Sequence, residues 1–222
     1  MTLLTHQTPK VVSSIPESNF VEVSQRVFVP GIVDLEPTAN GRKRWTRDDC
    51  AFLEVTGRLR GRYELLNGEI VSKTGQNAPH ARTVMRLIAF ALSLSDEDHV
   101  RTQATMEVRV EDRIANRPEP DVLMLREGTE TKRTPDGSDA LLIVEVADTT
   151  QSDDLGWKPG LYARAGVAEY WVVDLPRRVF VVFRSPNRET GEWADIREMA
   201  ESDTIACEAT PNVTFGVRDL LP

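Results

Sequence analysis

Four side chains lying far apart in the chain could do chemistry together: the carboxylates of Glu64, Asp121 and Glu145 and the ammonium group of Lys158. If the three acids converge, each close pair repels by about 4 kcal/mol at an effective dielectric near 20, and a bound cation removes that cost. No cysteine or paired histidine stands beside them in sequence, so the donors are hard oxygens, which favour Mg²⁺ or Mn²⁺ over zinc. A site of that kind polarises a phosphoryl oxygen and activates a water, with a lysine assisting the nucleophile or steadying developing charge.

The elements that must position these groups are readable from pattern. Ala140–Asp148 is an apolar run broken by Glu145, the signature of a strand covered on both faces. A carboxylate isolated there would protonate or destabilise the fold, which points to a cation or donor at the strand mouth. A strand-end glutamate reaching solvent is the competing reading of the strand taken alone. Pro118-Glu-Pro-Asp121 precedes the apolar Val122–Leu125, and Pro120 presents Asp121 rigidly as the chain enters a strand. A strand-start aspartate capping a turn fits that stretch equally well.

Asn67-Gly68 between Tyr63–Leu66 and Glu69–Val71 predicts a two-residue hairpin with Glu64 and Glu69 near the ends of its arms, the register deciding which faces a pocket. A helix follows Pro79, with Val84, Leu87, Ile88, Ala91 and Leu92 as its buried stripe and His80 in its first turn. Thr46 caps an earlier helix in which Ala51, Phe52 and Val55 face inward. Val100–Val110 alternates as a strand, and Thr149–Asp154 is a polar loop. The next helix runs through Leu161 and Tyr162 to Gly166, with Pro159 in its first turn; Lys158 and Tyr162 share one face. Glu169–Asp174 and Arg178–Phe183 read as neighbouring strands, and an edge hairpin and closing tail complete the chain.

At 222 residues and 40% hydrophobic, the chain suits one domain of ordinary size, residues 41–222, behind an N-terminal extension, residues 1–40, that is rich in Pro, Ser and Thr. His6 in that extension reads as a surface residue, and His99 as a loop residue. Two cysteines make no disulfide framework or metal knuckle, and no apolar run reaches membrane-spanning length, so a cytoplasmic protein is expected. A net charge of -8 argues against wholesale attraction to a polyanion, although Arg42–Arg44, Arg47 and Arg58–Arg62 could form a local basic patch.

Tyr63-Glu-Leu-Leu-Asn-Gly-Glu69, His80, Pro118-Glu-Pro-Asp121, Val144-Glu-Val146, Asp154 with Lys158, and Tyr162–Asp174 together resemble the restriction-endonuclease family abundant in cyanobacteria, a branch of the PD-(D/E)XK nuclease superfamily. The resemblance covers roughly residues 45–185. It implies that Asp121 is the first acid, Glu145 the second, and Lys158 a lysine moved to the neighbouring helix, since Ala147 occupies the usual lysine position. Glu64 and His80 match the family's early acidic and histidine positions.

The expectation is therefore an α/β fold, a mixed central β-sheet flanked by helices with a restriction-endonuclease-like core. It would cleave DNA phosphodiester bonds with Mg²⁺ or Mn²⁺ held by Asp121, Glu145 and Glu64, and would act as a homodimer. His80 would orient a ligand or phosphate. Two rivals use the same residues: a binding or assembly protein that kept the fold without cleavage, and a phosphodiesterase for RNA or a small molecule.

Overall fold

The computed structural model describes residues 43–73 and 77–222, with the backbone of 22–23 and 26–27 as a two-residue antiparallel ladder. The remaining expectations for residues 1–40, including His6, and that for Arg42, lie outside the described residues. In chain order the elements are α1 (Arg47–Val55), β1 (Tyr63–Leu66), β2 (Glu69–Ser72), α2 (Ala78–Leu94), β3 (Val100–Arg101), β4 (Val122–Leu125), β5 (Ala140–Ala147), α3 (Gln151–Asp154) and α4 (Lys158–Ala165). They continue with β6 (Glu169–Asp174), β7 (Val179–Pro186), β8 (Trp193–Met199), β9 (Thr204–Ile205), β10 (Phe215–Gly216) and α5 (Val217–Leu220).

Six strands make the central sheet in the order β8-β7-β6-β5-β4-β3. The β5–β6 pair is parallel and the others antiparallel, so the sheet is mixed, as expected. A parallel neighbour requires a crossover, and α3 and α4 supply it. One face packs on α2 through Val84, Leu87, Phe90 and Ala91, which meet Val122, Val144, Trp171 and Phe180. The other face packs on α4, where Leu161 and Tyr162 meet Ile143, Tyr170 and Phe183. With a helix on each face, every residue of β5 is buried except half-buried Leu141. Tyr170 and Trp171 are both fully buried, in keeping with core packing.

The β1–β2 hairpin is a separate arm. Asn67 and Gly68 both have positive φ, 49° and 79°, the backbone that a two-residue turn of this twist requires. Its own small core joins Tyr63 and Leu65 to Cys50 of α1, and the Leu65–Arg117 bridge, the Gly68 amide on the Ala115 carbonyl at 2.9 Å and the Asn67 amide on Asn116 Oδ1 at 2.7 Å tie it to the segment that leads into β4. Thr46 caps α1 with a full capping box.

Several local expectations change. Val100–Val110 gives only two strand residues, because Gln103 takes a φ of 49° and turns the chain off the sheet. On α2, Leu92 is exposed while Thr83 and Phe90 are buried; the sheet lies under a stripe displaced from the one apolarity alone suggests. On α1, Cys50 is buried and Val55 is exposed, because the helix meets the thin arm and the 113–117 segment and not the sheet. The loop expected over Thr149–Asp154 contains a one-turn helix, α3, and Asp154 ends it.

Candidate functional site

Register places the first two acids together. Val122 on β4 pairs with Val144 on β5, so one step further Asp121 stands opposite Glu145. Each carboxylate takes a backbone donor from the other's strand: the Asp121 amide donates to Glu145 Oε2 at 3.3 Å, and the Val146 amide to Asp121 Oδ2 at 3.0 Å. Both line one cleft of about 510 Å³, together with Glu64, Lys73, Asn77, His80, Asp154 and Lys158.

Alternation along β5 puts Glu145 on the same face as Ile143, the face that α4 covers. There its Oε1 receives the Lys158 ammonium at 3.1 Å and the Tyr162 hydroxyl at 2.8 Å. Lys158 opens α4 and also meets Asp154 Oδ1 at 2.7 Å. Thr150 donates its hydroxyl to Asp154 Oδ2, and the Tyr170 hydroxyl donates to the Asp154 carbonyl at 2.8 Å. The Asp121 carboxylate reaches the other way, to His80 Nε2 in the first turn of α2 at 3.2 Å. Asn77, not foreseen as a cap, holds the start of that helix by accepting from the His80 amide at 3.0 Å.

Glu64 enters from the arm. It is 4% exposed whereas Glu69 is exposed, which decides between the two hairpin acids. Its Oε1 accepts from the Glu119 amide at 2.7 Å, and its Oε2 lies 3.4 Å from the Lys73 ammonium. The structure thus brings all five sequence-selected residues, Glu64, His80, Asp121, Glu145 and Lys158, to one cleft.

Electrostatics differ sharply between the two acids. Burial, aided by the charges of Asp154, Asp121 and Glu64 and only partly offset by Lys158, pushes the Glu145 carboxyl up to about 7. Burial opposes ionisation of Asp121 too, but the His80 hydrogen bond, the Lys73 and His80 charges and the Val146 amide outweigh it and hold that carboxyl low. His80 loses by burial and gains more from Asp121, leaving it above the usual imidazole value. Burial opposes the charge on Lys158, yet Glu145 and Asp154 keep it well above the ordinary lysine value. Burial, then the Glu145 charge, keep Tyr162 a neutral donor.

Among the described residues no three His, Cys, Asp or Glu side chains are grouped as an ion cage. Two facing carboxylates nevertheless fit a Mg²⁺-like ion, which is held by one or two carboxylates and keeps several waters for substrate phosphates to displace. Burial raises Glu145 most, and the charges of Asp154, Asp121 and Glu64 add to it; such an ion would offset both by favouring the ionised carboxylate.

Lys73 was not foreseen from sequence, although a signal existed. Val71 pairs with Glu64, and the Lys73 amide continues the ladder to the Arg62 carbonyl at 2.9 Å, so a period of two puts Lys73 on the face of Glu64. Of the arginine clusters, Arg47 pairs with Glu107 and Arg44 with Asn67 away from the cleft, while Arg62 pairs with Glu119 at its wall. Cys50 and Cys207 are free and buried. No helix among the described residues is long and apolar enough to cross a membrane.

A solved structure from Anabaena variabilis, described as a putative nuclease belonging to DUF820, matches with a TM-score of 0.56 at 14% identity, covering 76% of this chain and 96% of that one. At that identity the likeness is one of fold, and it agrees with a restriction-endonuclease-like architecture. No curated protein matches the chain. The family model Uma2, described as "Putative restriction endonuclease", matches residues 51–218, and the chain belongs to that family.

Proposed function

We propose that the protein is a divalent-metal-dependent endonuclease that hydrolyses phosphodiester bonds of DNA. The observation that carries this reading is the pairing of Asp121 with Glu145 across adjacent strands, with the Lys158 ammonium 3.1 Å from Glu145 Oε1 at the floor of an open cleft.

Asp121 and Glu145 would hold the ion, with Glu64 acting through water. The ion, when bound, would supply Lewis-acid polarisation of a phosphoryl oxygen and a more acidic water. The protein's own groups do the rest. Asp121 is fixed by the Val146 amide and by His80, so its free oxygen is aimed before any ligand enters. Tyr162 fixes the rotamer of Glu145. Lys158, clamped between Glu145 and Asp154, sets a positive charge beside the position where an attacking oxygen would carry developing negative charge. The lysine lies away from the strand position the superfamily uses, but its ammonium reaches the second acid, which removes one argument for a fold without cleavage.

The test is nicking of supercoiled DNA with Mg²⁺ or Mn²⁺. Wild type is expected to nick, and Asp121→Ala and Glu145→Ala to be slower by about 10²-fold or more, the scale of losing one preorganised electrostatic element. Wild type that nicks no faster than these variants sinks the reading. Parallel incubation with RNA and with small phosphodiesters separates the substrate classes.

A further inference from the structure

The cleft holds two ammonium groups in different electrostatic situations. Lys158 is enclosed: its side chain is 5% exposed and lies within 3.1 Å of two buried carboxylates. Lys73 approaches from the arm, its side chain 18% exposed, with a single carboxylate, Glu64 Oε2, at 3.4 Å and the Glu119 carbonyl at 2.7 Å. An ammonium group has three N–H donors. One donates to the Glu119 carbonyl and Glu64 is met as an ion pair, so the partly exposed ammonium keeps donor capacity for a group entering the cleft. Arg62, half-exposed and tied to Glu119 Oε2 at 2.8 Å, extends the same basic wall outward.

A phosphodiester chain entering this cleft meets an acidic floor, formed by Asp121, Glu145 and Asp154, that repels it. Its charge must be met from the side, and Lys73 is the ammonium group available there. We propose that Lys73 is a positioning residue that binds a backbone phosphate of the substrate, while Lys158 serves the reacting centre. The assignment rests on the phosphodiesterase reading above and adds to it the group that admits a polyanion to an acidic protein. Being a point-charge contact to backbone, it acts on every base sequence alike.

The experiment is equilibrium binding of a labelled DNA duplex across a salt series, with Ca²⁺ in place of Mg²⁺. Lys73→Gln is expected to raise Kd about tenfold at low salt and to reduce the slope of log affinity against log salt by about 1. Lys73→Arg keeps the slope, and Arg197→Gln, on the far edge strand β8, changes neither quantity. If Lys73→Gln shifts the urea midpoint, Lys73→Met, which keeps the apolar stem, repeats the measurement. Wild-type binding with an unchanged slope in Lys73→Gln and Lys73→Met confines Lys73 to bracing Glu64 and Glu119 and overturns this assignment alone. Wild type that shows no salt-dependent binding to DNA overturns the nuclease reading, and this assignment with it.

Discussion

Glu145→Gln is expected to make the metal-free protein more stable by about 2 kcal/mol at pH 8 while removing its nuclease activity. The Glu145 carboxyl, 3% exposed, titrates near 7 in the folded protein instead of 4.5. A carboxylate raised in the folded state works against folding: below pH 4.5 both states are protonated and nothing is lost. Between 4.5 and 7 the unfolded chain releases its proton and the native one does not, so stability falls as pH rises. Above 7 the loss is constant. Each tenfold change in proton affinity between the two states is worth about 1.4 kcal/mol, so the loss comes to about 3 kcal/mol. The amide escapes that cost. It can still accept from Tyr162 and Lys158, but its NH₂ faces the Asp121 amide in place of Oε2, losing a long bond worth about 1 kcal/mol. Urea unfolding of both proteins in EDTA at pH 4 and pH 8 reads the difference. A gap that fails to widen with pH would mean that Glu145 is not held against its charge.

Lys158→Met should move stability the other way, by about 3 kcal/mol at pH 8, and abolish nicking. Removing one partner of a buried ion pair leaves the other charge uncompensated, a loss of about 3–5 kcal/mol in proteins generally. Here two partners are stranded, Glu145 and Asp154, 3% and 2% exposed. The figure sits at the low end because Glu145 can take up a proton instead of remaining charged. Lowering the pH therefore narrows the deficit. In the Glu145→Gln, Lys158→Met double variant the two effects are expected to be non-additive, since Asp154 alone remains unpaired. Full additivity would deny that these side chains share one network.

Much of the site was legible because local signals and burial cost agree there. A lone acid in Ala140–Ala147 demanded a partner, Pro120 fixed the approach of Asp121, and Asn67-Gly68 announced the arm. Other features depend on tertiary facts that no local pattern carries. Gln103 reads as an ordinary strand residue until the chain must leave the sheet. Phe90 and Leu92 are equally apolar, and only the position of the sheet beneath α2 decides which is covered. The choice of Glu64 over Glu69 is a matter of register. Tyr162 was placed on the Lys158 face, but its role as a donor to Glu145 follows from the crossover setting α4 over β5.

The separateness of the β1–β2 arm orders how the cleft comes together. Glu145 meets Lys158 across 13 residues and Asp121 across 24, whereas Glu64 reaches Glu119 across 55. Each doubling of a closed loop costs about 0.6 kcal/mol in chain entropy, and the arm offsets it with a small satellite cluster and polar ties to residues 115–119 in place of a share in the main core. It should then behave as its own cooperative opening unit, with the cross-strand-bonded Glu64 and Val71 amides exchanging hydrogen well before those of Ile143 and Val172. Equal protection would show the arm and sheet melting as one. An arm that opens alone carries off Glu64 and Lys73 and leaves Asp121, Glu145 and Lys158 assembled, so substrate grip and reacting centre can be lost, or altered, one without the other.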